Sequence, residues 1–163
     1  MIEFVRRMLM GQFEASLAML GQCVEMCPAA HWNGTIVKYE FWHVAYYTLY
    51  CTDLYLAESW DAFEPCEFLP AGKNELEREY PSREMTREEL LGYLALCRQR
   101  AVDALAAETA ESLARPAGFE RLAFSRGELY LSSMRHVMHH TGQLSALLRK
   151  LGVDTDWVKM GWR

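Results

Sequence analysis

Four long segments with helical patterns constrain the fold of this chain more than any other feature. The first runs from about Ile2 to Met26, with apolar residues near helical spacing, and Pro28 closes it. The second begins after "HWNGT", where Asn33 or Thr35 can cap a helix, and continues through "IVKYEFWHVAYYTLYCTDLYLA". Its β-branched and aromatic residues are common in strands, but about twenty residues without a turn signal are too many for one strand. No segment is therefore predicted to be a strand.

Capping signals mark the starts of the other two segments. The third opens at "TREE" and the fourth at "SRGE", and in each a hydroxyl residue followed three positions later by glutamate forms a capping box. The third continues to about Ala114, and the fourth ends at Gly152 after two basic residues. A connection rich in proline and acidic residues, 58–83, separates the second segment from the third.

These segments predict an all-α fold, a four-helix bundle with a long connection between helices 2 and 3. A chain of 163 residues is long enough for one compact domain, so 1–163 is expected to form a single domain. The tail "VDTDWVKMGWR" carries Trp157 and Trp162, which are expected to pack over an end of the bundle or at a subunit contact.

Composition argues against several classes of partner. The net charge of −5 gives no basic surface for nucleic acid, and no apolar run is long enough to span a membrane. Charged residues interrupt the N-terminal segment, which is typical of a helix and not of a signal peptide. The five cysteines are scattered, and Cys23 and Cys27 have no second pair with which to form a structural zinc site. A reduced, cytoplasmic protein is expected.

Three of the five histidines lie in the stretch "RHVMHHTGQLSALLRK" of the fourth segment. At about 100° per residue, His136 and His140 point within about 40° of each other, into a stripe of leucines that should face the core. His139 lies about 100° from His140, toward the edge of this stripe. Two buried imidazoles need either hydrogen-bond partners or a metal ion, because an unsatisfied buried polar group costs about 1–3 kcal/mol. The spacing alone leaves both alternatives open.

A histidine in the second segment favours a metal ion over hydrogen-bond partners as the explanation for the two buried imidazoles. His43 lies in the apolar run "YEFWHVAYY", and the second and fourth helices of a bundle can be neighbours. His43 could then complete a three-histidine site with His136 and His140, leaving positions open for water or a substrate. An H-E-x-x-H metalloprotease site is excluded, because Val137 stands where that motif has glutamate.

Glu40 introduces an alternative kind of site. Glu40 and His43 have the E-x-x-H spacing of di-iron carboxylate bundles, which require a second such motif. Ser133 stands three residues before His136, where that motif needs a carboxylate, so a single-metal site is favoured. Glu40 is then expected to orient an imidazole or to lie at the surface. The other residues expected to line or support the site are Tyr47, His139 and Gln143.

With these residues the chain resembles the DinB-like superfamily, which includes the YfiT-like metal-dependent hydrolases. Its members are four-helix bundles with a histidine in the second helix and an H-x-x-x-H pair in the fourth, commonly followed by x-G-Q. Here the pair is His136 and His140, followed by "TGQ", and the second-helix histidine is His43. The order and lengths of the segments agree over nearly the whole chain. His139, an additional histidine beside the motif, is a departure from the pattern.

The resemblance implies one divalent metal ion, zinc or nickel, bound by His43, His136 and His140. It also implies a homodimer and an enzyme that acts on a small molecule. The most specific expectation is an S-transferase that uses a low-molecular-weight thiol such as bacillithiol, mycothiol or glutathione. The alternatives are a metal-dependent hydrolase and a non-catalytic protein that binds a metal or a small molecule.

Overall fold

The computed structural model describes residues 1–36, 38–71 and 80–161. The helices found there are α1 (Ile2–Met26), α2 (Phe41–Leu56), α3 (Arg87–Ala107), α4 (Ala110–Ala114) and α5 (Arg126–Lys150), with a 3₁₀ turn at Ala29–His31. Two short antiparallel strands, β1 (Thr35–Ile36) and β2 (Tyr39–Glu40), precede α2. The structure is therefore mostly helical, in agreement with the all-α prediction. Among the described helices, none is long and apolar enough to cross a bilayer.

The four long helices pack around a shared core. α1 and α2 each pack against both α3 and α5, and the short α4 packs against α5. The largest buried side chains are aromatic and aliphatic, among them Phe13, Leu17, Tyr46, Leu49, Tyr93 and Tyr130. Because α2 lies against α5, the two helices that carry the candidate histidines are neighbours.

Both predicted capping boxes are present. Thr86 accepts a hydrogen bond from the backbone N–H of Glu89 while the Glu89 carboxylate accepts from the N–H of Thr86, and Ser125 and Glu128 repeat this exchange. Gly152 follows α5 with a φ of 79°, in the left-handed region that favours glycine. The predicted bounds of α1 and α5 and the predicted start of α3 are confirmed.

The second helix begins later than predicted, at Phe41. The prediction that no segment is a strand is wrong for β1 and β2, where Thr35 pairs with Glu40. The β-branched and aromatic side chains of this segment favour the extended backbone, and the two strands are separated by only two positions in the sequence.

The first amides of α2 have partners in the loop that precedes it. The N–H of Phe41 donates to the carbonyl of Gly34 at 3.0 Å, and the N–H of Trp42 donates to the carbonyl of Trp32 at 3.2 Å. These bonds satisfy donors that a side-chain cap would otherwise satisfy, so α2 starts without the predicted cap from Asn33 or Thr35.

The third predicted helix, expected to reach Ala114, is divided into α3 and α4. Thr109 starts α4 with a capping box to Ser112. Between the two helices Glu108 has an extended backbone, and its carboxylate turns inward to pair with Arg126. This ion pair is a tertiary contact, and helix propensity does not take tertiary contacts into account. The sequence pattern therefore predicted a continuous helix.

The C-terminal tail runs beside α1, where the N–H of Asp156 donates to Oε1 of Gln22 at 2.8 Å. Trp157 is 71% exposed, so the prediction that it packs over an end of the helices is wrong. Its place at a subunit contact stays a prediction, and Trp162 lies outside the described residues. Between α2 and α3, the described residues 57–71 and 80–86 form neither helix nor strand.

Candidate functional site

His136 and His140 lie side by side on α5. Their ring centroids are 4.6 Å apart and their planes meet at 74°. His140 is buried and His136 is half-buried, whereas His139 is exposed. The two imidazoles, called the histidine pair below, are adjacent because residues four apart share one face of a helix.

Tyr47 of α2 contacts both members of the histidine pair. Its ring centroid is 5.3 Å from that of His136 and 5.4 Å from that of His140, with the rings edge to face. Tyr47 is partly exposed, whereas its neighbours Tyr46 and Tyr50 are buried in the core. The contact between α2 and α5 is therefore open to solvent at Tyr47.

Gln143 holds the ring of His140. Its Oε1 is 2.9 Å from Nδ1 of His140, and its Nε2 is 3.4 Å from Nε2 of His139. An amide nitrogen can only donate, so His139 accepts through Nε2 and the amide oxygen accepts from Nδ1–H of His140. With its proton on Nδ1, His140 keeps the lone pair on Nε2, where a metal ion could bind.

Both imidazoles of the histidine pair are neutral near pH 7. Burial, followed by repulsion from His140 and His139, lowers the pKa of His136 to about 4. Burial also lowers the pKa of His140, although the hydrogen bond to Gln143 opposes this. Nδ1 of His136 is buried without a hydrogen-bond partner among the described residues, and so is Oγ of Ser133, one turn earlier. The pair thus presents neutral imidazole nitrogens, and one of them, Nδ1 of His136, has no hydrogen-bond partner among the described residues.

The low pKa of His136 predicts a pH-dependent stability of the metal-free protein. In the unfolded chain this imidazole binds a proton below its ordinary pKa of about 6.5, but in the folded protein only below about 4. The unfolded state therefore holds more protons between these values, and the free energy of unfolding falls by about 2–3 kcal/mol as the pH is lowered from about 6.5 to about 4. Denaturant titrations of chelator-treated protein measure this fall. An equal fall in a His136→Gln variant would contradict the assignment.

His43 of α2 is buried among aromatic rings. Its ring centroid is 4.7 Å from that of Tyr80, 5.3 Å from that of Trp42 and 5.8 Å from that of Tyr39. Its Nδ1 is 3.9 Å from Oε2 of Glu40, which is longer than a normal hydrogen bond. Glu40 therefore lies beside this imidazole, at the N-terminus of α2.

The sequence interpretation did not include Tyr39, Trp42 or Tyr80. Tyr39 and Trp42 lie within four residues of His43, in an aromatic run that could have indicated them. Tyr80 belongs to the connection between α2 and α3, and no sequence signal links it to His43.

Three metal donors do not come together in the part of the chain that the structure describes. No group of three His, Cys, Asp or Glu side chains there is arranged to hold a metal ion. The histidine pair fits two ligand positions, since both imidazoles are neutral and His136 has a buried nitrogen without a partner among the described residues. His43 lies on the helix that packs against the pair, but it does not form a three-donor group with it.

The chain matches the model of a protein family. The model of the DinB family matches residues 33–163, which contain both strands and α2 to α5 and leave out α1. The comparison with curated proteins and the comparison with solved structures found no match. The matched region includes His43, the histidine pair and Gln143, and it covers well over half of the sequence. The chain belongs to the DinB family.

Proposed function

We propose that this DinB-family protein binds one divalent metal ion, zinc or nickel, and uses it to act on a small molecule. The observation that carries the proposal is the pair of adjacent, neutral imidazoles of His136 and His140 where α5 meets α2. Neutral imidazole is the form that binds metal ions. A metal ion at the pair would also satisfy a nitrogen that is otherwise costly to bury.

His43 is the proposed third ligand. It precedes Tyr47 by four residues and so lies one turn away on the same face of α2, and Tyr47 contacts both members of the histidine pair. Among the described residues His43 does not form a three-donor group with the pair, so its ligation requires a shift of these side chains relative to one another. Three protein ligands leave coordination positions open, which is typical of catalytic and not of structural metal sites.

The proposed reaction is the transfer of a low-molecular-weight thiol to an electrophilic small molecule. A divalent metal bound here would lower the pKa of a thiol and so supply a thiolate at neutral pH. The residues of the chain bind and orient the participants. Gln143 fixes the ring of His140, Glu40 lies beside His43, and the partly exposed Tyr47 is available to contact the small molecule.

The proposal includes the assembly expected of the family. The packing of α1 and α2 against both α3 and α5 supports a four-helix bundle. Phe4 and Met8 lie one turn apart on α1 and expose large apolar side chains, which supports a homodimer contact at this helix. A cytoplasmic location stays a prediction.

A panel of thiols tests the reaction. Protein loaded with zinc or nickel is mixed with chlorodinitrobenzene or an epoxide, with and without bacillithiol, mycothiol or glutathione. We expect one thiol to be conjugated faster than in the protein-free reaction, and this excess to disappear when a chelator removes the metal. Equal turnover with and without thiol would contradict the transferase and indicate a hydrolase. Stoichiometric metal without any turnover would indicate the non-catalytic alternative.

A further inference from the structure

A second cluster of reactive side chains lies away from the histidines. It consists of Asp53, Tyr93, Arg100 and Cys66. Asp53 follows His43 by ten residues in α2 and is therefore about 15 Å further along the helix. The proposed metal function uses none of these four residues.

Asp53 fixes the position of the Arg100 guanidinium. Asp53 is 2% exposed, and its Oδ1 accepts a hydrogen bond from Nη1 of Arg100 at 2.6 Å while its Oδ2 accepts one from the hydroxyl of Tyr93 at 2.9 Å. The other amino group of the guanidinium, Nη2, donates to Sγ of Cys66 at 3.4 Å. A hydrogen bond from a cation stabilises negative charge on sulfur, and the ionised sulfur is the nucleophile in thiol chemistry.

Cys66 is the most accessible of the five cysteines. It is partly exposed, whereas the other four are buried. Burial raises the pKa of Cys23 to about 12 and that of Cys27 to about 11, and it raises the pKa of Cys97 well above its usual value. These buried thiols stay protonated at neutral pH and are shielded from solvent. A reagent in solution therefore reaches Cys66 first.

A cavity of about 330 Å³ opens beside Arg100. Its lining includes three carboxylates, one guanidinium and one aromatic ring, from Asp53, Glu64, Asp103, Arg100 and Phe63. The volume suits a small molecule, and the excess of carboxylates favours a ligand with positive charge, which an aromatic ring also attracts. Cys66 is not part of this lining, but it follows Glu64 by two residues and its Sγ lies 3.4 Å from Nη2 of Arg100, which is part of the lining.

We propose that Cys66 undergoes thiol–disulfide exchange with a small cationic disulfide, such as that of an aminothiol, that binds in this cavity. The Cys66 thiolate attacks one sulfur of the ligand, and the ligand's S–S bond breaks as a new S–S bond to Cys66 forms. The released half leaves as a thiolate and takes up the proton that Cys66 has lost. Cys66 is oxidised to a mixed disulfide and the released half is reduced to a thiol, so the ligand is the only oxidant required.

Two disulfides of opposite charge test the proposal on the full-length protein. Cystamine is a dication, and oxidised glutathione is an anion. Intact-protein mass spectrometry with peptide mapping follows the adducts at pH 7, and each rate is divided by that of the same disulfide with a free small thiol. We expect one adduct, at Cys66, formed about tenfold faster with cystamine at low salt, with the preference shrinking at high salt. A Cys66→Ser variant is expected to form none.

Variants of the arginine separate activation of the thiol from simple exposure. Arg100→Gln is expected to react about tenfold more slowly, and Arg100→Lys within about threefold of the unmodified chain. Arg98→Gln is the matched control, because Arg98 is also on α3 but pairs with Glu14, and it is expected to leave the rate unchanged.

The preference for a cationic ligand is tested at a residue other than Arg100, because the loss of Arg100 leaves the buried Asp53 without its cationic partner. Asp103→Asn, at an exposed position of the cavity wall, is expected to reduce the preference for cystamine. An adduct at another cysteine, or oxidised glutathione reacting as fast as cystamine, would overturn the proposal. An unchanged rate in an Arg100→Gln variant that circular dichroism shows to be folded would also overturn it. If that variant is unfolded, the rates of Arg100→Lys and Asp103→Asn decide.

Discussion

An Arg126→Met variant is expected to lose about 3–5 kcal/mol of its free energy of unfolding, the usual cost of removing one partner from a buried ion pair. Arg126 is 3% exposed, and its Nε lies 3.2 Å from Oε1 of Glu108, which is 6% exposed. Without the guanidinium, Glu108 keeps a negative charge where water has little access. The cost of that unpaired charge is the main part of the expected loss.

Arg126 also satisfies the end of α2. Its Nη1 donates to the carbonyls of Tyr55 at 3.1 Å and Ala57 at 2.6 Å, and its Nη2 donates to the carbonyl of Leu56 at 2.8 Å. The last carbonyls of a helix have no partner within that helix, and methionine has no donor to replace the guanidinium. One side chain at the start of α5 therefore holds the end of α2 in place.

Glu108 has further hydrogen bonds that keep it ionised. Burial opposes its ionisation, but the hydrogen bonds from Ser112, Tyr130 and Arg126 outweigh burial and lower the pKa of Glu108. The charge therefore persists in the folded protein at neutral pH. Adding Glu108→Gln to Arg126→Met removes this charge, and the double variant is expected to recover part of the lost stability.

Denaturant unfolding followed by circular dichroism measures these differences, and the single variant should lower Tm by about 10 °C. Arg115→Met is the matched control. Arg115 lies near the same end of α5, but its ion pair with Glu58 is 3.4 Å long and exposed on both sides, so its loss should cost less than about 1 kcal/mol. If the two variants are equally stable, the buried pair does not stabilise the fold.

The helix boundaries that could be predicted from the sequence depend on local contacts. Thr86 and Ser125 start α3 and α5 by exchanging hydrogen bonds with residues three positions later, and four letters of sequence reveal such a box. Pro28 and Gly152 act equally locally after α1 and α5, through the backbone conformations that each residue favours.

The missed start of α2 and the missed end of α3 depend on residues distant in sequence or on loop geometry. The first amides of α2 donate to the carbonyls of Gly34 and Trp32, which the turn and hairpin bring into position. α3 stops before Glu108 because that carboxylate pairs with Arg126 in another helix. Hydrophobic periodicity and helix propensity take neither contact into account. The helices predicted from them were therefore too long, α2 at its start and α3 at its end.

In the candidate site, too, the local contacts could be predicted from the sequence and the contacts between distant residues could not. The contact between His136 and His140 and the support of His140 by Gln143 lie within two turns of one helix, so helical spacing was sufficient to predict them. The ring of His43 packs against that of Tyr80, which belongs to the connection between α2 and α3. No periodic pattern places a residue of an irregular connection. Helical spacing could therefore suggest a three-histidine group, but it could not predict that Tyr80 packs against the His43 ring.

Replacement of either member of the histidine pair by glutamine is expected to weaken metal binding by about 100-fold or more. Loss of a residue that only supports a ligand usually costs 10–100-fold, and loss of a ligand should cost at least as much. His136→Gln and His140→Gln each leave one imidazole where two adjacent donors stood. Elemental analysis of tag-free protein and competition with a chelator measure stoichiometry and affinity. The rise in Tm on adding zinc or nickel gives an independent readout.

His43→Gln decides whether the site has two or three histidine ligands. If His43 completes the site, this variant should lose stoichiometric metal as His136→Gln does. His31→Gln is the control, because His31 lies in the 3₁₀ turn before the strands, and it should keep one metal ion per chain. Metal retained by His43→Gln but lost by His140→Gln would contradict the three-histidine site. His43 would then stabilise the aromatic packing of α2, because its buried ring contacts Tyr39, Trp42 and Tyr80.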